Sequence, residues 1–408
     1  MSAARRIAGR TFAALVVPNY RKYFIGQVIS NSGTWMQSVA QGWLILQLTG
    51  HNGFYLGVSV ALQYLPMLLL GSYGGLLVDR TSKRKVLYVT QSTAGLSALI
   101  LGLLVSTNHA QVWQVFVLSL ALGVSNMFDV PARQAFIQEM VGRDLITNAV
   151  SLNSALMNSG RLIGPAISAG VIAAWGTAAC FFVNAGSYVA VLIALLAMDG
   201  SKLTPIRRVT RAKGQVMLGL RYVKDNPVLR RPLIAVAIVG TFAFNFTVTL
   251  PLLVQRTFHD QRAGDYGILL SAMGLGAILG GLTVAHRSRP SLKLMSVLGI
   301  LFGLCMAGVA LSPNQVVATI LLVPTGAFSI AFVSTGNAML QLNSTEEMRG
   351  RVMSLHATAF LGSTPIGAPI IGIICNLTNP RVGLGVGAGL TFLTGLMLVR
   401  QSKEVTVA

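Results

Sequence analysis

Apolar stretches long enough to cross a bilayer recur roughly every 34 residues through this chain of 408, about twelve in all. A helix needs ~20 apolar residues to traverse the hydrocarbon core, so this spacing accommodates twelve spanning helices and short connections. Only 10% of the residues are charged, against ~25% in soluble domains, too few to coat a water-facing surface of this size. Soluble enzymes, disordered tails and nucleic-acid-binding domains are excluded. The chain reads as an all-α polytopic membrane protein with spans 1 to 12 at 20–48, 53–78, 86–106, 112–139, 148–173, 177–197, 232–257, 265–285, 293–311, 315–342, 351–375 and 382–399.

The net charge of +20 is explained by its location. With both termini placed in the cytoplasm, all of the 31 Lys and Arg residues except Arg161, Arg256, Arg262 and Arg381 fall on the cytoplasmic side. Lys and Arg resist translocation, so the basicity sets orientation in a plasma (inner) membrane and says little about cargo. Arg5, Arg6, Arg10, Arg21 and Lys22 precede a long first span with no small-residue cleavage site, unlike a secretory signal. Ser2 stands where myristoylation requires glycine. Cys180, Cys305 and Cys375 have no metal-ligand spacing and read as packing thiols.

Residues 198–231 form the one long polar connection, a basic linker that divides an N-terminal half (1–197) from a C-terminal half (232–408). A repeat supports the division. Ser151-Leu152-Asn153 with Ile163-Gly164 returns as Ser354-Leu355-His356 with Ile366-Gly367, at an offset of 203. Parallel repeats of this kind place the cargo site between bundles near mid-membrane in many transporter folds.

After span 2 stands Gly75-Leu-Leu-Val-Asp79-Arg80-Thr-Ser82-Lys83-Arg84-Lys85. This resembles the signature loop of the major facilitator superfamily, with Ser82 where that family usually has glycine. The resemblance implies two pseudo-symmetric six-helix bundles. It also implies a cytoplasmic gate in which Asp79 latches against the start of span 11, near Arg349 and Arg351. A helix N-terminus carries roughly half a positive charge, so the latch is physically sound. A solvated basic turn is the simpler alternative. The second half holds only a worn copy, Gly281 to Arg287, without the acid.

Span 5 reads Gly160-Arg161-Leu-Ile-Gly164-Pro165-Ala-Ile-Ser168-Ala169-Gly170, similar to the glycine-proline hinge element of export-direction members, with Ser168-Ala169 replacing a glycine pair. Small residues four apart let backbones touch, and proline loosens the hydrogen-bond ladder. Gly274, Gly276, Gly280 and Gly281 offer a matching face on span 8. Ordinary tight packing accounts for the same pattern. Asp129-Val-Pro-Ala-Arg133-Gln134, together with Asn19-Tyr20-Arg21, Trp35 and Gln41, looks like the enterobactin-exporter branch, also described as transmembrane secretion effectors. That branch includes siderophore exporters and drug pumps.

Asp129 is the one acid clearly within a span, and ionisable residues at membrane depth are costly and functional by default. Arg161 is placed to face it, with Arg133 lower down near Asp79. Asp129, Arg133 and Arg161 are therefore candidates for proton coupling, with a static ion pair as the alternative. His356 is the second-choice titrating group. Gln27, Asn31, Trp35, Ser38 and Gln41 make a polar stripe along span 1. With Gln63, Tyr64, Phe242, Asn245, Phe246, Asn337 and His356 they supply the candidate cavity lining, although any one amide also suits an interhelical hydrogen bond. Asn31 and Asn245 lead this set. The lining suits neutral, zwitterionic or catecholate-like cargo.

No phosphate loop occurs, which excludes a primary pump. The five histidines are scattered without paired acids, which argues against an enzyme. The expected protein is a monomeric secondary transporter without organic cofactor or metal. It exports small amphipathic molecules, drugs or siderophore-like compounds, by proton-coupled alternating access. Proton-coupled uptake of a small nutrient is the alternative.

Overall fold

Helices make up nearly all of the computed structural model, which describes residues 12–204, 215–259, 262–285 and 290–407, with no strand among them. Arg5, Arg6, Arg10, the basic residues of 205–214, and His286 and Arg287 lie outside the described residues. Nine stretches among the described residues are long and apolar enough to cross a membrane. One of these, Val112–Leu196, is 85 residues long and turns back at Gly142 and Gly176, whose φ angles are 71° and 78°. Left-handed backbone is open to glycine at no steric cost. The two turns cut the stretch into 112–141, 143–175 and 177–196, which are spans 4, 5 and 6. Pro18–Leu48 is 31 residues long but too polar to stand out by hydropathy, because Gln27, Asn31, Gln37 and Gln41 all turn inward and are buried. With it, and with the long stretch taken as three, the described residues hold twelve membrane-length helical stretches.

Two spans expected as single helices are broken. Span 7 runs as Pro227–Phe242 and then Phe246–Leu252, continuing through the π turn Leu253–Thr257. Span 11 runs as Glu346–Leu361 and then Thr364–Leu377. Each break has a cause. The Asn245 side chain donates to the Thr241 carbonyl at 2.7 Å, satisfying an acceptor exposed by the interruption. Pro365 sits at the start of the second segment of span 11, where its missing N–H costs nothing. The two breaks also lie against one another, since a Cβ on Gly240 would meet the Phe360 carbonyl and the Ser363 hydroxyl at 3.1 Å.

The repeat has a structural meaning. A Cβ on Gly164 would strike Trp35 and the Ser32 carbonyl of span 1, and one on Gly367 would strike the Thr241 carbonyl of span 7. Each glycine admits the first span of its own half to backbone contact. The linker helix Gln215–Asp225 docks at the basic end of span 11, where Val223, Leu229, Leu340 and Val352 form a small apolar cluster. Leu69, Val89, Ile193 and Leu311 point outward on the perimeter, as a lipid-facing surface requires.

Candidate functional site

Between spans 2, 4 and 11 lies a cavity of about 510 Å³. It opens on the face carrying the 79–85 loop, the basic face, where Asp79, Gln138 and Ser354 stand at its mouth. Tyr64 is its deepest residue on span 2, fifteen positions and roughly 22 Å of helix from Asp79. Met67, Leu68, Val130, Pro131 and Leu361 supply apolar wall, and Gln134 and Thr358 add polar groups. Among the described residues, Asp79 is the only charged one lining it.

Toward the opposite face the halves are sealed. The Asn376 amide donates to Asn52 Oδ1 at 2.5 Å, and the Gly53 N–H donates to Asn376 Oδ1 at 2.8 Å. His51 Nδ1 and Gln255 Oε1 lie 2.5 Å apart, and within the second half Arg256 donates to the Cys375 carbonyl at 3.0 Å beside them. Below these bonds the helices touch through glycines. A Cβ on Gly57 would run into the Ala368 carbonyl, and one on Gly372 into the Gly53 carbonyl. Spans 5 and 8 meet the same way, since a Cβ on Gly267 would come to 2.5 Å from the Pro165 carbonyl and one on Gly274 to 2.7 Å from the Arg161 carbonyl.

That seam revises the reading of span 8. Gly274 faces span 5 as expected, but Gly276 and Gly280 pack on Val323 and Ala327 of span 10. Two residues turn a helix by roughly 200°, so a single face cannot hold both sets. Gly264 and Gly267 complete the span 5 contact instead. On span 5, Gly160 and Gly164 serve span 1: a Cβ on Gly160 would overlap the Asn31 amide. Gly170 has open space beside it and no packing role.

The 79–85 loop works largely within its own half. Lys83 pairs with Glu139 at 3.8 Å, and Arg84 donates to the Leu195 carbonyl at 2.6 Å, capping the end of span 6. Arg80 is exposed, and Gly75 lines the cavity. Among the described residues no ion pair joins Asp79 to span 11, and the cavity lies between them. Just beyond span 6, the Ser201 hydroxyl and N–H hold the exposed Asp199 carboxyl below its ordinary range.

Asp129 is 2% exposed and does not meet Arg161. One carboxylate oxygen accepts from Thr90 (2.9 Å) and Gln91 (2.6 Å) of span 3, and the other accepts from Arg133, one turn along span 4. Arg133 in turn donates to Gln27 of span 1 at 2.6 Å. The group ties three helices together and leaves no room for the expected partner. Arg161 lies over the Trp35 ring, 5.3 Å from its centroid.

The lining set divides. Tyr64 reaches the cavity, and Gln63 and Tyr64 border a 40 Å³ pocket behind the seal. Asn31 does not face open space, because its amide donates to the Leu156 carbonyl at 2.8 Å. Phe246 is buried in the second-half core against Phe302, and Phe242 packs against an apolar cluster. Asn337 accepts from Gln341 on its own helix at 3.0 Å. Asn245 and His356 are buried, each with one polar atom lacking a partner in the protein. Gln134, which enters the sequence reading only as part of a motif, lines the cavity together with Gln138 and Thr358, which the sequence reading does not single out. Val130, Gln134 and Gln138 recur at steps of four, the signal that marks them. Asn31→Leu is therefore expected to lower the unfolding temperature and yield, at a cost of about 1 kcal/mol, with cargo choice unchanged. An altered cargo profile at an unchanged unfolding temperature would return Asn31 to the cavity.

Solved structures share this architecture. A bacterial homologue of the human lysosomal transporter Spinster, captured inward-facing and unoccupied, superposes with a TM-score of 0.73 at 12% identity, covering 95% of this chain and 96% of its own. The nucleoside transporter NupG gives 0.76 at 11% identity, covering 94% and 98%. Among curated sequences, the staphyloferrin A transporter of Staphylococcus aureus is 25% identical over 87% of this chain and 89% of its own length. The enterobactin exporter EntS of Shigella boydii is 27% identical over 94% and 91%. The family model described as transmembrane secretion effector matches residues 9–406. A match over that length, on this fold, means that the chain belongs to the transmembrane secretion effector family of the major facilitator superfamily: a membrane transporter and not an enzyme.

Proposed function

We propose that this protein exports small amphipathic molecules, siderophore-like compounds or drugs, from the cytoplasm by proton-coupled alternating access. The basic face is cytoplasmic, with both termini on it, in a plasma (inner) membrane. The observation that carries the reading is the asymmetry of the cavity, open beside Asp79 and closed beyond Tyr64 by contacts between the halves. Such a form loads cargo from the basic side. Two relatives spanning nearly the whole chain are named for siderophores, one of them as an exporter.

In this reading the seal at Asn52, Gly53 and Gly57 opens when the basic ends of spans 2 and 11 close, and Asp79 then meets the N-terminal turn of span 11. Asp129 carries the proton. When it is protonated, its hold on Arg133 weakens and the link through Gln27 to span 1 loosens. The protein works as a monomer, with protons and the cargo as its small partners.

Everted vesicles with an acid lumen test this. Offered enterobactin, staphyloferrin A and a panel of fluorescent drugs, they are expected to accumulate at least one compound, and to release it when a protonophore collapses the gradient. Accumulation confined to right-side-out vesicles would reverse the direction of transport. Accumulation insensitive to the gradient would remove the proton.

A further inference from the structure

Two ladders of polar side chains line the cavity from opposite halves of the protein. Gln134 and Gln138 stand on span 4, and Ser354 and Thr358 stand on the first segment of span 11. Each pair is four residues apart, so each sets its two groups on one helix face about 6 Å apart in depth. Gln134, Ser354 and Thr358 are exposed, and Gln138 is partly buried. Among the described residues, none of the four side chains has a hydrogen-bond partner in the protein. The same residue types behave differently elsewhere. Thr241, Thr325 and Thr335 return their hydroxyls to the carbonyl one turn back, at 2.7 Å each. Gln27, Gln37 and Gln41 are tied to other helices by hydrogen bonds. Polar groups at membrane depth are expensive and mark substrate pathways. Beyond Gln134 and Thr358 the lining turns apolar, through Met127, Val130 and Leu361. Among the described residues it holds no cation, and its one charge is the negative charge of Asp79.

We propose that Gln134, Gln138, Ser354 and Thr358 determine cargo specificity by binding an uncharged head rich in hydroxyl or amide groups, while the apolar body of the cargo lies deeper, toward Tyr64. Amides and hydroxyls both donate and accept, so the two ladders suit a head that does the same. A carboxylate head is rejected, because no cation offsets the cost of desolvating it and Asp79 repels it at the mouth. A head held by both ladders ties the two halves together at the basic face, so occupancy favours closing there. This narrows the cargo of the proposed exporter, and it rests on that reading for the direction of travel, not for binding.

The test uses the full-length protein in lipid nanodiscs and three dansyl sulfonamides that share one fluorescent body. Their nitrogen substituents are 2,3-dihydroxypropyl, propyl and carboxymethyl. Fluorescence anisotropy at neutral pH, corrected with empty nanodiscs, is expected to show the wild type binding the diol at least about tenfold more tightly than either of the others. Gln134→Leu and Thr358→Val should each weaken the diol at least about threefold without weakening the propyl compound. Neither should move the unfolding temperature, since neither side chain bonds to the protein. The two substitutions combined should bring the diol to the propyl compound's affinity. If the combined variant fails to fold, the single variants decide, one from each half. A propyl or carboxymethyl compound bound by the wild type as tightly as the diol would overturn the proposal. So would a preference surviving the combined substitution, a loss of affinity that tracks the unfolding temperature, or no diol binding by about 1 mM. Binding needs no gradient and has no direction. Selective binding without vesicle transport would therefore sink the export reading alone, and gradient-driven transport without selective binding would sink this assignment alone.

Discussion

Asp129→Asn is expected to lower gradient-driven efflux by more than tenfold and to destabilise the protein as well. The two effects need separating. Asp129 is buried at 2% exposure and shares its carboxylate between span 3 and Arg133. Removing its charge leaves Arg133 unpaired, and breaking a buried pair from one side costs about 3–5 kcal/mol. A drop in activity from the single variant therefore proves nothing about protons. Asp129→Asn combined with Arg133→Gln removes both charges, and neutralising a buried pair is far cheaper than halving it. The double variant is expected to recover most of the lost unfolding temperature. If Asp129 carries the proton, the double variant still fails to respond to a pH gradient yet exchanges cargo down a concentration gradient. If gradient-driven efflux returns along with the fold, the pair is structural and the proton travels elsewhere.

Much of the architecture was legible because its causes are local or periodic. Apolar runs fixed by bilayer thickness mark the spans, and the offset of 203 links two glycines that hold corresponding places in the two halves. The candidate site was less legible, for reasons of rotation. Asp129 and Arg133 stand one turn apart on one helix face, whereas a pairing of Asp129 with Arg161 depends on how two helices are turned about their axes. Nothing in either sequence segment shows that span 5 points Arg161 at Trp35. Phe246 fails for a related reason. A helix running unbroken from 232 to 257 places Phe242, Asn245 and Phe246 on one stripe, but the interruption at 243–245 resets the phase and sends Phe246 into the core. Depth along the membrane follows from counting residues, and orientation around the axis does not.

Gly57→Val and Asp79→Asn are expected to push the protein in opposite directions. At Gly57 the obstacle to a side chain is the backbone of Ala368 and Pro369, which no rotamer change relieves, so spans 2 and 11 must part at the sealed end. Overpacking of this kind costs about 1–3 kcal/mol, and a bias of ~1.4 kcal/mol shifts a two-state ratio tenfold. Asp79→Asn removes the charge proposed to greet the N-terminus of span 11, a contact absent from this conformation, so it disfavours the opposite state. Two single-cysteine reporters read the outcome in a background without the three native cysteines. Ser59→Cys lies behind the seal at 1% exposure, and Ser354→Cys stands on the cavity wall at the basic face. With an impermeant maleimide, Gly57→Val should raise labelling at Ser59→Cys and lower it at Ser354→Cys. Asp79→Asn should keep Ser354→Cys fully reactive and Ser59→Cys protected. Both variants should lose at least about tenfold in transport, because a carrier held in either state cannot complete the cycle. Wild-type labelling at both positions in a transport-dead Gly57→Val protein would mean that the glycine contact is packing and not a gate. Reciprocal shifts would make the two ends of spans 2 and 11 one coupled element.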